Sequence, residues 1–336
     1  MTENGQIKKL LNDPADSVDE MLEGVVAAHP TLLALHAPRV VARAERAAAG
    51  TVGVALGGGS GHEPAFLGYV GPGLADSAAV GNVFAAPSPD VVLGSIEAAD
   101  HGAGVLMIYG NYSGDVMNCR LAAKRASAAG IEVRSLFTTD DVASAPSADR
   151  DRRRGIAGEV LVFKVAGAAA DEGLSLDEVE RVAREANAEL GSMGVALTSA
   201  ELPGAQHPIF VSAAGQMEVG LGVHGEPGVS TSPLGSADEV GELLVAHIAD
   251  DLALVPGDEV AVLVNGLGAT SVMEQYVVYR AAARALETRG VVVSRSFVGE
   301  YVTSLQMAGL SVSVLRLTDE RLRLLDRPAR SLGWSR

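Results

Sequence analysis

Cysteine occurs once in this chain, at Cys119, which excludes a disulfide scaffold and any cysteine-rich metal site. Lysine occurs only at positions 8, 9, 124 and 164, so arginine carries most of the positive charge. Positive charge as a whole is short. Lys and Arg number 26 against 42 Asp and Glu, a net charge of −16, so neither a basic nucleic-acid-binding face nor a nucleic-acid partner is expected. Long apolar runs are missing too: none reaches the roughly 18 residues of a membrane span. Met1 to Asp13 is polar and lacks the apolar core of a signal peptide, so a soluble cytoplasmic protein with no membrane partner is expected. Aromatic residues are only 4% of the chain.

Ala, Val, Leu and Gly are plentiful instead, and hydrophobic residues make up 48% of 336 residues. Short Val/Leu/Ile runs separated by helical patterns suit α/β layers, and the length suits two domains. Helical spacing predicts helices over 17–35, 90–100, 116–129, 157–171, 175–191, 236–250 and 271–288. Ser175 and Glu178 fit a capping box at one of these starts. Strands are expected over 51–56, 103–108, 131–137, 193–198, 208–212, 219–223, 260–264, 291–296 and 311–317. The fold class read from this pattern is α/β, with two α/β domains and mostly parallel or mixed sheets. Residues 1–190 form the first domain and 191–336 the second. The polar stretch 138–155 reads as a solvated loop, with a mobile segment near the site or a subunit contact as the alternative.

Three segments carry candidate chemistry. Leu56-Gly57-Gly58-Gly59-Ser60-Gly61-His62-Glu63-Pro64 follows the strand 51–56. It fails the dinucleotide fingerprint, because Pro64 stands where the third glycine belongs, and it fails the phosphate loop, because no lysine follows. A glycine turn that brings backbone amides close to a small polar ligand remains, beside purely structural glycine. Gly222-Val223-His224-Gly225-Glu226-Pro227-Gly228 repeats the His-(Gly)-Glu-Pro theme after another strand. Neutral imidazole is a nucleophile, a base or a metal ligand, and the flanking glycines leave room around the ring. No H-E-x-x-H or C-x-x-C is present to support zinc, so no metal is assigned. Asn111-Tyr112-Ser113-Gly114-Asp115 follows the strand 103–108, and Asp115 is either a helix N-terminal carboxylate or a general base.

Taken in order, Leu11-Asn12-Asp13-Pro14, the segments 57–64 and 111–115, Gly155 after three arginines, 222–228, Val264 to Thr270 and Thr303-Ser304-Leu305 resemble one family. The chain is similar, over roughly 7–334, to the substrate-binding K subunit of bacterial dihydroxyacetone kinase, the DhaK family. The resemblance implies a DhaK-like pair of α/β domains, usually in a homodimer. It implies that His224 attacks a ketone carbon to form a hemiaminal, so that covalent capture rejects glycerol, which has no electrophilic carbon. It assigns His62 acid/base and hydrogen-bonding work, and Asp115 the activation of a terminal hydroxyl. Gly59, Ser60, Gly61 and Gly110 join His62 and Asp115 around the substrate. It also implies that no cofactor sits on this chain. A nucleotide-binding L-type kinase subunit, or a fused domain, would bring ATP or ADP with Mg²⁺.

Four positions depart from the dihydroxyacetone pattern. Gly110 stands where a lysine commonly precedes the N-Y-T-G-D motif, and Phe66 where histidine or another small or polar residue is frequent. Gln306 replaces an acidic residue, and Ser199 to Pro203 replaces a cysteine-containing stretch. Loss of the lysine suggests a wider pocket, suited to a four-carbon ketose such as erythrulose. Three function classes follow: a kinase subunit for a short-chain ketose, a non-catalytic ketose-sensing coactivator, and an unrelated α/β enzyme with structural histidines. Retention of Asp115 favours the first.

Overall fold

The computed structural model describes residues 8–335. In chain order the elements are α1 (Ser17–Ala28), β1 (Leu33–Ala37), β2 (Val40–Arg43), β3 (Gly53–Ser60), β4 (Ser77–Val83), α2 (Pro89–Ala99), β5 (Val105–Gly110), α3 (Ser113–Ala128) and β6 (Val133–Thr138). There follow α4 (Glu159–Asp171), α5 (Leu176–Ala188), β7 (Leu190–Ala196), β8 (Gln216–Val219), β9 (Ser230–Pro233), α6 (Ala237–Asp251), β10 (Glu259–Gly266), α7 (Val272–Thr288), β11 (Val292–Gly299), β12 (Gly309–Arg316) and α8 (Asp319–Asp326).

The strands build two mixed six-stranded sheets. The first has the order β1-β2-β4-β3-β5-β6 and the second β11-β10-β12-β7-β8-β9. In the first, β4, β3, β5 and β6 run parallel, while β1 and β2 add antiparallel pairs at one edge. In the second, β10 and β11 are the parallel pair and the other neighbours are antiparallel. The period of two in β5 shows how the layers form. Val105, Met107 and Tyr109 face a core with α2 and α3, whereas Leu106 and Ile108 face α4 and α5. In β10, Val260, Val262 and Val264 pack with α6 and α7. Ala261 and Leu263 turn instead to the core that holds α4 and α8. Helix α4 is the shared centre: every residue from Glu159 to Ala170 is buried. A helix apolar all round its surface belongs inside. Its Lys164 donates from Nζ to the carbonyl of Leu324 on α8 at 2.8 Å, and burial brings that ammonium down to about 8.

Several elements differ from the sequence expectation. Helix α1 stops at Ala28 rather than 35, because Pro30 removes an N–H and forces His29 out of helical geometry. The chain then turns into β1. Strand β3 runs on through the glycines to Ser60, so Gly57, Gly58 and Gly59 are strand residues rather than a turn. Residues 208–212 form no strand, and β8 ends at Val219, which leaves 220–229 as a loop. The capping box at Ser175 and Glu178 is present, and Ser236/Glu239 and Ser271/Glu274 form two more. Among the described residues no helix is long and apolar enough to cross a membrane.

The stretch 138–155 is solvated only in part: residues 146–149, 151 and 152 are exposed, whereas Thr138, Thr139, Asp140, Asp141 and Arg153 are buried. Arg153 is fully buried and grips Asp251 of α6 with two bonds, of 2.5 and 2.8 Å, while its Nε donates to the Ala145 carbonyl. Asp140 accepts the backbone N–H groups of Ile156 and Gly158, which anchors the start of α4. Removing one member of a buried pair leaves the other charge uncompensated, which costs about 3–5 kcal/mol. Asp251→Ala is therefore expected to lower unfolding stability by about that amount in urea titrations. A loss under about 1 kcal/mol would class the pair with exposed ones.

Candidate functional site

The C-terminal ends of the parallel strands β3, β4, β5 and β6 lie along one edge of the first sheet, the usual place for a crevice in α/β folds. His62 follows β3, Phe84 follows β4, and Gly110 ends β5 with Tyr112 and Asp115 leading into α3. Gly155 lies between β6 and α4. The second sheet supplies His224 from the β8–β9 loop and Thr303 from the β11–β12 loop. These meet around a pocket of about 30 Å³ lined by residues that include Gly59, His62, Gly110, Asp115, Glu159 and His224.

The two histidines touch. His62 Nε2 lies 2.9 Å from His224 Nε2, across 162 positions of sequence. His62 Nδ1 lies 2.7 Å from the Thr303 carbonyl, and His224 Nδ1 lies 2.8 Å from Glu226 Oε1. The second Glu226 oxygen accepts the His224 backbone N–H at 3.1 Å. Gly225 has φ +85°, the left-handed turn that folds Glu226 back beneath the ring. A side chain at Gly222 would begin 2.1 Å from that carboxylate. The G-V-H-G-E-P-G spacing thus builds a histidine with its own carboxylate.

A carbonyl only accepts, so His62 Nδ1 carries a hydrogen. Burial opposes ionisation of Glu226, yet the His224 bond and charge together with Arg154 bring it down to about 2. It is a carboxylate facing His224 Nδ1. Burial, and then the neighbouring His224, push His62 down to about 3, so His62 is neutral and its Nε2 turns a lone pair toward His224.

Aromatic rings hold this geometry. Phe84 stacks on His62 at 4.8 Å, and its φ of 56° is unusual for a bulky residue. Tyr112 meets His224 edge-on at 4.9 Å and donates its hydroxyl to the Gly155 carbonyl at 3.0 Å. Arg154 bonds Asp141 at 2.7 Å and reaches 3.9 Å from Glu226. Asn265 accepts the N–H groups of Tyr301 and Val302 and donates to the Val302 carbonyl, which sets the loop bearing Thr303. Ser304 donates to the Val223 carbonyl at 2.6 Å, tying that loop to the one bearing His224.

Asp115 is buried in the first turn of α3, and its Oδ1 has no hydrogen-bond partner among the described residues. Burial raises its carboxyl to about 7 against the opposing His224 charge. Gly59 and Gly110 line the pocket with it, but Ser60 and Gly61 do not. The Ser60 hydroxyl is turned away to the Gly81 carbonyl at 2.8 Å, and the Gly61 N–H is taken by Glu63. The space at Gly110 is not an opening, because a side chain there would begin 3.0 Å from the Tyr112 ring. Phe66 closes on Gly58, where any Cβ would lie 2.0 Å from its ring. Gln306 receives Lys9 Nζ at 2.7 Å, outside the pocket. Glu159 and Phe84 had no motif in the sequence to mark them. Glu226 lay inside the 222–228 motif and Arg154 in the three arginines before Gly155, but sequence reasoning assigned neither a role. No group of three or more His, Cys, Asp and Glu side chains among the described residues is arranged to hold a metal ion.

The Dak1 domain model matches residues 23–333. The chain is 44% identical over 324 residues to a PTS-dependent dihydroxyacetone kinase 2, dihydroxyacetone-binding subunit DhaK, of Listeria innocua, covering 96% of this chain and 97% of that one. It is 46% identical to a D-erythrulose kinase of Mycolicibacterium smegmatis, covering 96% of this chain and 55% of that relative. Among solved structures it matches a dihydroxyacetone kinase operon co-activator, DhaQ, with a TM-score of 0.89 and 32% identity, covering 96% and 99% of the two chains. The conserved layout of two mixed sheets and the full-length similarity place the chain in the DhaK family of dihydroxyacetone kinase subunits, which carry the Dak1 domain.

Proposed function

We propose that this chain captures a short-chain ketose as a hemiaminal on His224 and presents its terminal hydroxyl for phosphorylation by a separate nucleotide-bearing subunit. The observation that carries the reading is the His62–His224 pair, held between the Thr303 carbonyl and the Glu226 carboxylate. In this reading the reacting state carries one proton between the two Nε2 atoms. His224 passes its Nε2 proton to His62 Nε2, and the freed lone pair attacks the ketone carbon. The C–N bond forms as the carbonyl π pair moves to oxygen, and His62 gives that oxygen the proton. The product is an imidazolium bonded to carbon through Nε2, with Nδ1–H still on Glu226. Charge is +1 on the rings before and after, so capture takes up no proton from solvent. Glu226 stabilises the positive ring in both states and fixes its orientation, the role a carboxylate plays behind a catalytic histidine.

Asp115 supplies the second function. A carboxyl poised at about 7 accepts a hydroxyl proton near neutral pH. Capture alone has no use for such a base, which favours the kinase subunit over a sensing role. The nucleotide and Mg²⁺ then arrive with an L-type partner. A homodimer and a cytoplasmic setting complete the reading.

Three measurements test it. With dihydroxyacetone labelled at C2 with carbon-13, the wild type is expected to show a bound tetrahedral carbon distinct from free hydrate, and His224→Ala to show none; a signal that survives the substitution would remove His224 as nucleophile. Nitrogen-15 histidine spectra of the unliganded protein at pH 5 are expected to show His62, one of seven histidines, still neutral with its hydrogen on Nδ1, because burial pushes it down to about 3. A His62 ring protonated on both nitrogens at that pH would remove it as the lone-pair acceptor beside His224. With a partner kinase subunit, ATP and Mg²⁺, phosphorylation should rise as pH increases through about 7, where Asp115 loses its proton. Asp115→Asn should slow it by roughly 10²–10⁴-fold while capture persists. Capture without phosphorylation of any short ketose in the wild type would point to the coactivator role instead.

A further inference from the structure

Beyond the histidine pair, much of the pocket wall is backbone from Gly57, Gly58, Gly59, Gly110 and Gly155, with apolar surface from Phe66, Val223 and Val302. Three further polar side chains reach it: Asp115, Tyr112, whose hydroxyl is spent on the Gly155 carbonyl, and Glu159 from the first turn of α4, which is only 2% exposed. Its Oε2 accepts the Thr138 hydroxyl at 2.9 Å. A side chain at position 110 would begin 3.7 Å from the same oxygen, so the glycine leaves this carboxyl beside the cavity. Carboxyl groups are seldom buried without a partner that uses them, because desolvation is costly. The Thr138 bond serves one oxygen of the two.

The capture reading assigns the ketone oxygen to His62 and the reacting hydroxyl to Asp115. It leaves Glu159 without a task. We infer that Glu159 is a specificity-determining residue that hydrogen-bonds a ketose hydroxyl on the side of the carbonyl away from the one Asp115 holds. The inference rests on the capture reading and sharpens it: the preferred ligand is a ketose hydroxylated on both sides of its carbonyl. Burial, with Asp140 and Asp115 nearby, holds the Glu159 carboxyl well above the usual carboxylate range. Overall similarity does not decide chain length, since dihydroxyacetone-binding and erythrulose-kinase relatives match at 44% and 46% identity. A contact at this wall does.

The test uses four ketones in two pairs: dihydroxyacetone against hydroxyacetone, and erythrulose against 1-hydroxybutan-2-one. Capture by the full chain is read from the bound tetrahedral-carbon signal as an apparent dissociation constant. Within each pair hydroxylation on the far side of the carbonyl is present or absent, one hydroxyl in the first pair and two in the second, and comparing proteins cancels differences in ketone reactivity. Glu159→Met is expected to reduce the wild-type preference for the hydroxylated member by roughly ten-fold in at least one pair, the scale of one buried hydrogen bond. The pair that loses more identifies the chain length. Glu159→Gln should retain most of the preference, because an amide still bonds a hydroxyl. Thr138→Val removes the internal bond alone and should leave the preference intact. An unchanged preference in Glu159→Met, with capture intact, overturns the inference and spares the capture reading. Equal weakening of all four ligands in Glu159→Met and Thr138→Val shows a purely structural carboxyl and also overturns it. A wild type that captures none of the four overturns both.

Discussion

The hydrogen bond between His62 and His224 is the constraint on which the rest of the site depends. Each ring has its outer nitrogen committed to an acceptor, a carbonyl on one side and a carboxylate on the other. The inner nitrogens are left facing each other at 2.9 Å. Neither sheet supplies this alone. His62 belongs to the edge of the first sheet, and its acceptor Thr303 and partner His224 belong to loops of the second. Any shear between the halves would lengthen both ring bonds of His62 at once.

The structure resists that shear with buried charge and a shared core. Helix α4 lies wholly inside and takes contacts from both sheets and from α8. The segment leading to it is bound down by Asp140 on the α4 amides, by Arg153 on Asp251 and by Arg154 on Asp141. These pairs are costly to desolvate, and their value lies in geometry rather than net stability. They fix Arg154 where it supports Glu226, and Gly155 where it receives Tyr112. Burial also raises the nearby carboxyls: Asp115 and Asp140 to about 7, Asp141 to about 6 despite Arg154. A site whose acids sit near neutrality exchanges protons with a substrate at little cost.

Much of this was legible in sequence because local rules governed it. Apolar periodicity located most helices and most buried strands within a few residues, and the Ser175 capping box was visible from two residues. It missed the buried β2 and β4, and short half-exposed strands such as β1, β8 and β9, since their pairing is non-local and their composition unremarkable. The loop 138–155 misled in part for a related reason. Its charges look solvated in sequence, and only Asp251, 98 positions beyond Arg153, reveals that Arg153 is paired in the interior.

The sequence by itself determined the α/β class and the three motif segments, because each depends on residue type and near spacing, and it put His62, Asp115 and His224 forward as candidates. Tertiary structure alone decided that His62 and His224 meet, that Ser60 turns away to Gly81, that Tyr112 fills the space beside Gly110, and that Glu159 faces the cavity. All four are matters of which groups meet across long separations in a dry interior. There a hydrogen bond's partner and a carboxyl's protonation are set by packing rather than by neighbours along the chain.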